Sequence, residues 1–188
     1  MNQEKLVLPT RPLKKKVIVL GEGGVGKTTL LFRFVLRKFV ASTKMTIGSD
    51  LLTKQLVLEI PPFRNEITYL LWDLAGEERF RNIIPNYTVG ANCVLLMFDL
   101  TRPSTLIKLN NWIKSLNIWD DPKVVYFLVG TKKDQVDDAN RNITPEMISE
   151  FQRSHKMDSY IETSSKSGEN VDLLFKLIGT KLIEKLES

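Results

Sequence analysis

Four short stretches carry residue types and spacings that chemistry can use. The first, Gly21-Glu22-Gly23-Gly24-Val25-Gly26-Lys27-Thr28, has the form G-x-x-x-x-G-K-[ST]. Its glycines leave backbone N–H groups free to curl around a phosphate, and a helix opening at the lysine aims its positive end at the same anion. Lys27 is expected to reach the β- and γ-phosphates, and the hydroxyl of Thr28, with Thr29 behind it, to meet Mg²⁺. A glycine-rich strand-to-helix turn is the bland alternative, but a random window satisfies this pattern only on the order of once in tens of thousands.

The second stretch is Asp73-Leu74-Ala75-Gly76. A carboxylate at a strand end beside a phosphate loop suits Mg²⁺, and the Gly76 N–H can approach a γ-phosphate. The third is Thr131-Lys132-Lys133-Asp134. A carboxylate there can accept both N1–H and N2–H of guanine; adenine has an acceptor at N1 and no amino group at C2, so Asp134 would reject it. The Lys132 stem can cover one face of the base. The fourth is Glu162-Thr163-Ser164-Ser165-Lys166, where a backbone N–H at Ser165 can meet guanine O6. Alone, the last three read as polar loops; beside the first they make a set.

These loops must be presented by something. KKVIVL (15–20) is a β-branched run that stops at the glycines, and 28–39 has apolar residues on a helical period. DLLTKQLVLEI (50–60) alternates, PPFRN turns the chain, and EITYLLWDL (66–74) runs back, which predicts an antiparallel hairpin. ANCVLLMFDL (91–100) and VVYFLVG (124–130) are apolar throughout, as strands covered on both faces are. Helical periods fall between them: Leu106, Leu109, Ile113 and Leu116, then a helix capped by Thr144 with Pro145 at its first position, then Val171, Leu174, Ile178, Leu182 and Leu186 after a short strand at 159–163. Strands alternating with helices predict an α/β fold, a three-layer sandwich around a six-stranded, mostly parallel sheet with one antiparallel edge strand, and the 21–28 motif after its first strand makes it a P-loop NTPase fold. Ligands in such sheets sit beyond the carboxyl ends of the strands, where the four stretches fall.

The 188 residues fit one domain. Residues 1–14 read as a flexible basic N-terminal extension, and 15–188 as the nucleotide-binding domain. Most of the net charge of +5 sits in the lead-in, where Lys5, Arg11, Lys14, Lys15 and Lys16 face only Glu4. That permits at most weak or indirect attraction to an acidic membrane. No basic stripe interleaves with aromatics, so nucleic acid is not expected. The single cysteine, Cys93, lies in an apolar run and reads as core, allows no intramolecular disulfide, and fits a reducing, cytoplasmic setting. No stretch approaches the roughly 18 apolar residues of a membrane span, and KLES at the end offers no cysteine for prenylation. His155 reads as a cap at a helix end, and Trp112 and Trp119 as packing residues.

Together the four stretches resemble the Ras superfamily of small GTPases over about 15–187, with the Rab branch nearest: TIGSD is similar to TIGVDF, WDLAGEERF to WDTAGQERF, and ETSSK to ETSAK. The base motif TKKD is the form of Rho-type members. The resemblance implies that Thr46 ligates Mg²⁺ and senses the γ-phosphate, that Phe39 lies against the guanine, and that 40–50 and 75–90 are switches ordered by GTP. It implies Trp72 as a surface aromatic for partners, against simple packing; Arg79 reads by default as an exposed charge, with a switch contact as the alternative. Thr43 stands where many relatives carry a tyrosine, and Glu77 where they carry the water-orienting glutamine.

The expectation is a monomeric, Mg²⁺-dependent GTP-binding switch of low intrinsic turnover, with Lys27, Thr46 and Glu77 as the catalytic candidates. Effectors, an exchange factor and a GTPase-activating protein would engage 40–60 and 72–90. The alternatives are a guanine-nucleotide binding module with little hydrolysis and, against Asp134, a P-loop ATPase or kinase.

Overall fold

The computed structural model describes residues 8–41, 45–137 and 140–187. The strands are β1 (Thr10–Leu20), β2 (Ser49–Ile60), β3 (Phe63–Leu74), β4 (Cys93–Asp99), β5 (Val125–Thr131) and β6 (Ser159–Glu162). The helices are α1 (Lys27–Leu36), α2 (Ile84–Thr88), α3 (Pro103–Lys114), α4 (Pro145–Ser154) and α5 (Val171–Glu187), with short 3₁₀ turns at Glu78–Ile83 and Lys133–Gln135. The strands form one six-stranded sheet in the order β2-β3-β1-β4-β5-β6. Among the described residues only the β2–β3 pair is antiparallel; β1 runs parallel to β3 and β4, as do β4 to β5 and β5 to β6. This is the α/β architecture that the strand–helix alternation predicts, with the 21–28 loop following β1.

Alternation within β1 splits the core in two. Val17 and Val19 join Leu30, Leu31 and Phe34 of α1 and Leu174, Phe175 and Ile178 of α5. Ile18 and Leu20 face the other way, onto Leu106, Leu109 and Trp112 of α3 and Ile148 and Phe151 of α4. On the first side Phe34 stacks on Phe175 at 3.7 Å between centroids, and the Tyr69 hydroxyl donates to the Phe175 carbonyl at 2.7 Å. With helices covering both faces, β4 and β5 are buried along their whole length, Cys93 included, so their runs show no period-2 alternation. The Thr144 hydroxyl accepts the Met147 N–H at 3.3 Å and caps α4. His155 caps the other end, its Nδ1 lying 3.1 Å from the Phe151 carbonyl. Trp119 packs on Tyr126 at 4.6 Å.

Three boundaries differ from expectation. β1 begins at Thr10, so Thr10–Lys14 is strand where a flexible extension is read from the sequence; residues 1–7 lie outside the described residues. These residues lack an apolar period because β1 pairs only with β3 until Val17, and their anchors are polar. Arg11 donates to Asn65 at 2.7 Å, pairs with Glu187 at 3.1 Å and lies 4.4 Å over the Phe63 ring. Pro12 is tolerated where one ladder is missing. The hairpin is tighter than expected, β3 starting at Phe63 directly after Pro61-Pro62. α1 ends at Leu36, not residue 39, because Arg37 turns left-handed at φ 60°.

Candidate functional site

The loop after β1 wraps the N-terminus of α1. Gly26 occupies the N-cap at φ 97°, a conformation open to glycine and strained for other residues. The side chain of Lys27 turns inward: only 7% of the residue is exposed, and its ammonium donates to the carbonyls of Gly21 at 2.8 Å and Glu22 at 3.1 Å. Burial pushes that amine down to about 8, against the pull of Asp73 and Glu22.

Three hydroxyl and carboxylate groups converge beside it. Thr28 Oγ1 donates to Asp73 Oδ2 at 2.5 Å, and Thr46 Oγ1 lies 3.0 Å from Thr28 Oγ1 and 3.3 Å from Asp73 Oδ2. Asp73 is 1% exposed, and its Oδ1 has no hydrogen-bond partner among the described residues. Burial raises its pKa, with Thr28 and Lys27 opposing. An all-oxygen set with one unpaired buried carboxylate oxygen fits Mg²⁺, which takes few protein ligands and keeps waters and phosphate oxygens for the rest. Among the described residues no cluster of three or more His, Cys, Asp or Glu side chains offers a competing metal site.

Gly76 lies so close to the phosphate loop that a Cβ there would overlap the Lys27 ammonium and the backbone of Glu22 and Gly23. The third and fourth stretches meet at the opposite end. The Thr131 hydroxyl reaches the carbonyls of Val25 and Phe98 at 2.7 and 2.8 Å, tying the base loop to the phosphate loop. Ser164, fully buried, donates to Asp134 Oδ1 at 2.6 Å and so orients that carboxylate.

One cavity of about 540 Å³ joins these ends. Its phosphate end is lined by Gly23, Gly24, Val25, Gly26, Lys27 and Thr28 with Thr29, Thr46 and Gly76, and its base end by Thr131, Lys132 and Asp134 with Ser165 and Lys166. Phe39, freed by the early end of α1, stands at the rim and is 41% exposed. Ser164 supports the lining from behind. Glu77 is not part of the lining; its carboxylate pairs with Arg79 Nε at 2.7 Å. Thr43 lies outside the described residues. Trp72 is half-buried against Tyr87 at 5.4 Å, with the Lys16 ammonium 5.1 Å over its ring. Ala41, Met45 and Gln135 complete the cavity wall.

Asp99 belongs to none of the four stretches. Its side chain is fully buried at the carboxyl end of β4, where it pairs with Lys132 Nζ at 2.6 Å and Arg102 Nε at 2.8 Å. Arg102 in turn donates to the Gly23 carbonyl at 3.2 Å. Burial alone would raise the Asp99 pKa, but hydrogen bonds from Lys132, Thr101 and Arg102 outweigh it and hold the carboxyl below its ordinary value. The available signal was a single acid closing an otherwise apolar strand.

A phosphate loop and an oxygen trio at one end of a cavity and a serine-bound carboxylate at the other, on this sheet, define a P-loop nucleotide-binding protein. Residues 16–184 match the model of the Ras family. The chain is 34% identical over 177 residues to the Ypt/Rab-type GTPase Rab7 of Gibberella zeae, covering 92% of this chain and 84% of that protein. It is 35% identical over 176 residues to the Ypt/Rab-type GTPase ypt7 of Pyricularia oryzae, with the same coverage of both, 92% and 84%. It is 35% identical over 170 residues to the Ras-related protein Rab-18 of Lymnaea stagnalis, covering 90% and 80%. The chain belongs to the Ras family of small GTPases, on its Rab-like side.

Proposed function

We propose that the protein is a guanine-nucleotide switch in membrane trafficking or signalling that binds GTP with Mg²⁺, hydrolyses it slowly to GDP and phosphate, and engages effectors through 40–60 and 72–90. The carrying observation is the placement of Asp134: its carboxylate, oriented by Ser164, faces one end of a cavity whose other end is the phosphate loop. Two N–H groups of guanine match that carboxylate, and adenine leaves it unpaired. Turnover is supported by family membership and by relatives that are Rab-type GTPases.

Phosphoryl transfer needs positioning and charge more than covalent chemistry from the protein. Lys27 and the loop amides supply positive charge at the phosphate end. Thr28, Thr46 and Asp73 are the groups to hold Mg²⁺, which when bound neutralises phosphate oxygens. Phe39 and the Lys132 stem enclose the base, and the Ser165 N–H meets its O6.

The test is Asp134→Asn. GTP affinity should fall by at least about a hundredfold while xanthosine triphosphate gains; unchanged GTP affinity refutes the guanine reading. A second reading, a guanine-nucleotide module with little hydrolysis, is favoured by Glu77, whose carboxylate is held by Arg79 away from the cavity. Single-turnover release of phosphate from pre-bound GTP separates the two.

A further inference from the structure

Beside the cavity but outside its lining, one carboxylate gathers groups from two other elements. Glu22, the second residue of the phosphate loop, is 17% exposed at its side chain. Its Oε1 accepts from Arg81 Nη2 and from Trp112 Nε1, each at 3.1 Å, and its Oε2 accepts from Lys108 Nζ at 3.2 Å. Arg81 belongs to the 3₁₀ turn Glu78–Ile83; Lys108 and Trp112 belong to α3. Arg81 is itself enclosed: its side chain is 15% exposed, its guanidinium lies 5.0 Å over the Trp112 ring, and Nη1 pairs with Glu78 at 2.9 Å. Its Nε has no hydrogen-bond partner among the described residues. Enclosing an arginine this far needs a matched acceptor, because a buried unpaired charge is strongly destabilising.

The cluster sits where it can set the position of the reacting segment. The Glu22 carbonyl accepts from Lys27, and Gly76 packs against the Glu22–Gly23 backbone, so this part of the phosphate loop touches both the phosphate-end lysine and the segment after β3. From Gly76 the chain runs through Glu77 and Glu78 into the turn that Arg81 anchors. The segment is thus held at two points: at Gly76 by close backbone packing, and at Arg81 by Glu22. The second hold is fixed to α3, whose Trp112 is fully buried. Among the described residues, Glu77, between them, pairs with its exposed neighbour Arg79.

We infer that Glu22 and Arg81 are positioning residues for GTP hydrolysis: Glu22, braced by Lys108 and Trp112, holds Arg81 and thereby fixes Gly76–Glu78 against the phosphate loop. Neither residue lines the cavity, so the pair acts on the reaction through the segment and not through nucleotide contact. The inference rests on the hydrolytic reading above. A misplacement near 1 Å can cost about a hundredfold in rate, so a partial release of the segment slows turnover by about tenfold or more. Lys108, half-exposed on α3, brings the same carboxylate within reach of the surface.

The experiment compares wild type, Glu22→Gln, Arg81→Ala, the double variant and Lys108→Gln, loaded with GTP and Mg²⁺. Single-turnover phosphate release, GDP dissociation and thermal melting are followed for each. The expected result is a fall of about tenfold in release rate for each member of the pair, with the double variant slowed no more than the slower single. Lys108→Gln should show a smaller fall, and GDP dissociation from Arg81→Ala and Lys108→Gln should stay within about twofold of wild type. Equal release rates overturn the inference, as do independent losses that multiply in the double variant or losses that merely track melting. If wild type binds GTP and releases no phosphate, the hydrolytic reading fails and this inference with it; wild-type turnover with unaffected variants overturns the inference alone.

Discussion

Asp99→Asn removes one charge and keeps the side chain's shape. Asp99 Oδ2 lies 2.6 Å from Lys132 Nζ and 2.8 Å from Arg102 Nε, and Oδ1 accepts from the Thr101 N–H at 2.9 Å and hydroxyl at 2.6 Å. An amide retains one accepting oxygen and turns an N–H₂ toward the remaining donors. Hydrogen bonds to a charged group contribute about 1.5–3 kcal/mol each. Both cations are partly exposed, so water recovers much of that for them, and a net loss of about 2 kcal/mol is expected. Lys132 lines the base end of the cavity and Arg102 holds the Gly23 carbonyl, so the loss falls on both ends of the nucleotide site. GDP should leave roughly ten- to thirtyfold faster, since about 1.4 kcal/mol corresponds to a factor of ten. Release of a fluorescent GDP analogue into excess unlabelled GDP measures this. The pH dependence has a definite sign. The folded carboxyl lies below its unfolded value of about 3.9, so its stabilisation is complete above that value and fades as pH falls through the lower folded value. The melting temperatures of wild type and variant should therefore differ at neutral pH and converge in acid. Equal GDP release and equal melting at neutral pH would refute the reasoning that Asp99 organises Lys132 and Arg102.

Two further outcomes follow from the phosphate end. The Lys27 amine, at about 8 in the nucleotide-free protein, lies below its unfolded value of about 10.4, so its burial penalty is full below pH 8 and fades between those values. Nucleotide-free wild type should gain stability relative to Lys27→Met across that window in melts against pH; parallel curves would count against the burial of a charged amine. Gly76→Ala places a methyl group against the Glu22 and Gly23 backbone, which cannot swing aside as the Lys27 side chain can. GDP binding should survive, because the base end is untouched, while phosphate release falls about tenfold or more; equal single-turnover rates would mean that the segment tolerates displacement.

Much of the site was legible because its chemistry is local. The phosphate loop, Asp73, Asp134 and Ser164-Ser165 each sit in a short window at the end of a strand, and period alone ordered strands and helices into a parallel sheet. Where polar anchors replaced period, reading failed: Thr10–Lys14 carries no apolar alternation, and its strand rests on Arg11 meeting Asn65 and Glu187. α1 ends three residues before its apolar period does, because a left-handed Arg37 leaves no compositional trace.

The amino-acid sequence by itself determined the class of fold, through strand–helix alternation along the whole chain, and it proposes the phosphate loop and the guanine-matching carboxylate, each within a few consecutive residues. Only the tertiary structure decided which distant side chains meet. Parallel crossovers bring strand ends far apart in sequence to one edge of the sheet. There Lys132 finds Asp99, Arg102 finds the Gly23 carbonyl, and Arg81, Lys108 and Trp112 converge on Glu22. These pairings depend on register and burial, where an enclosed charge must find its partner across the fold. The residue following Gly76 shows the difference: sequence marks Glu77 as an acid in a glutamine's place, and the structure shows that acid paired with Arg79 beside a segment held by Glu22.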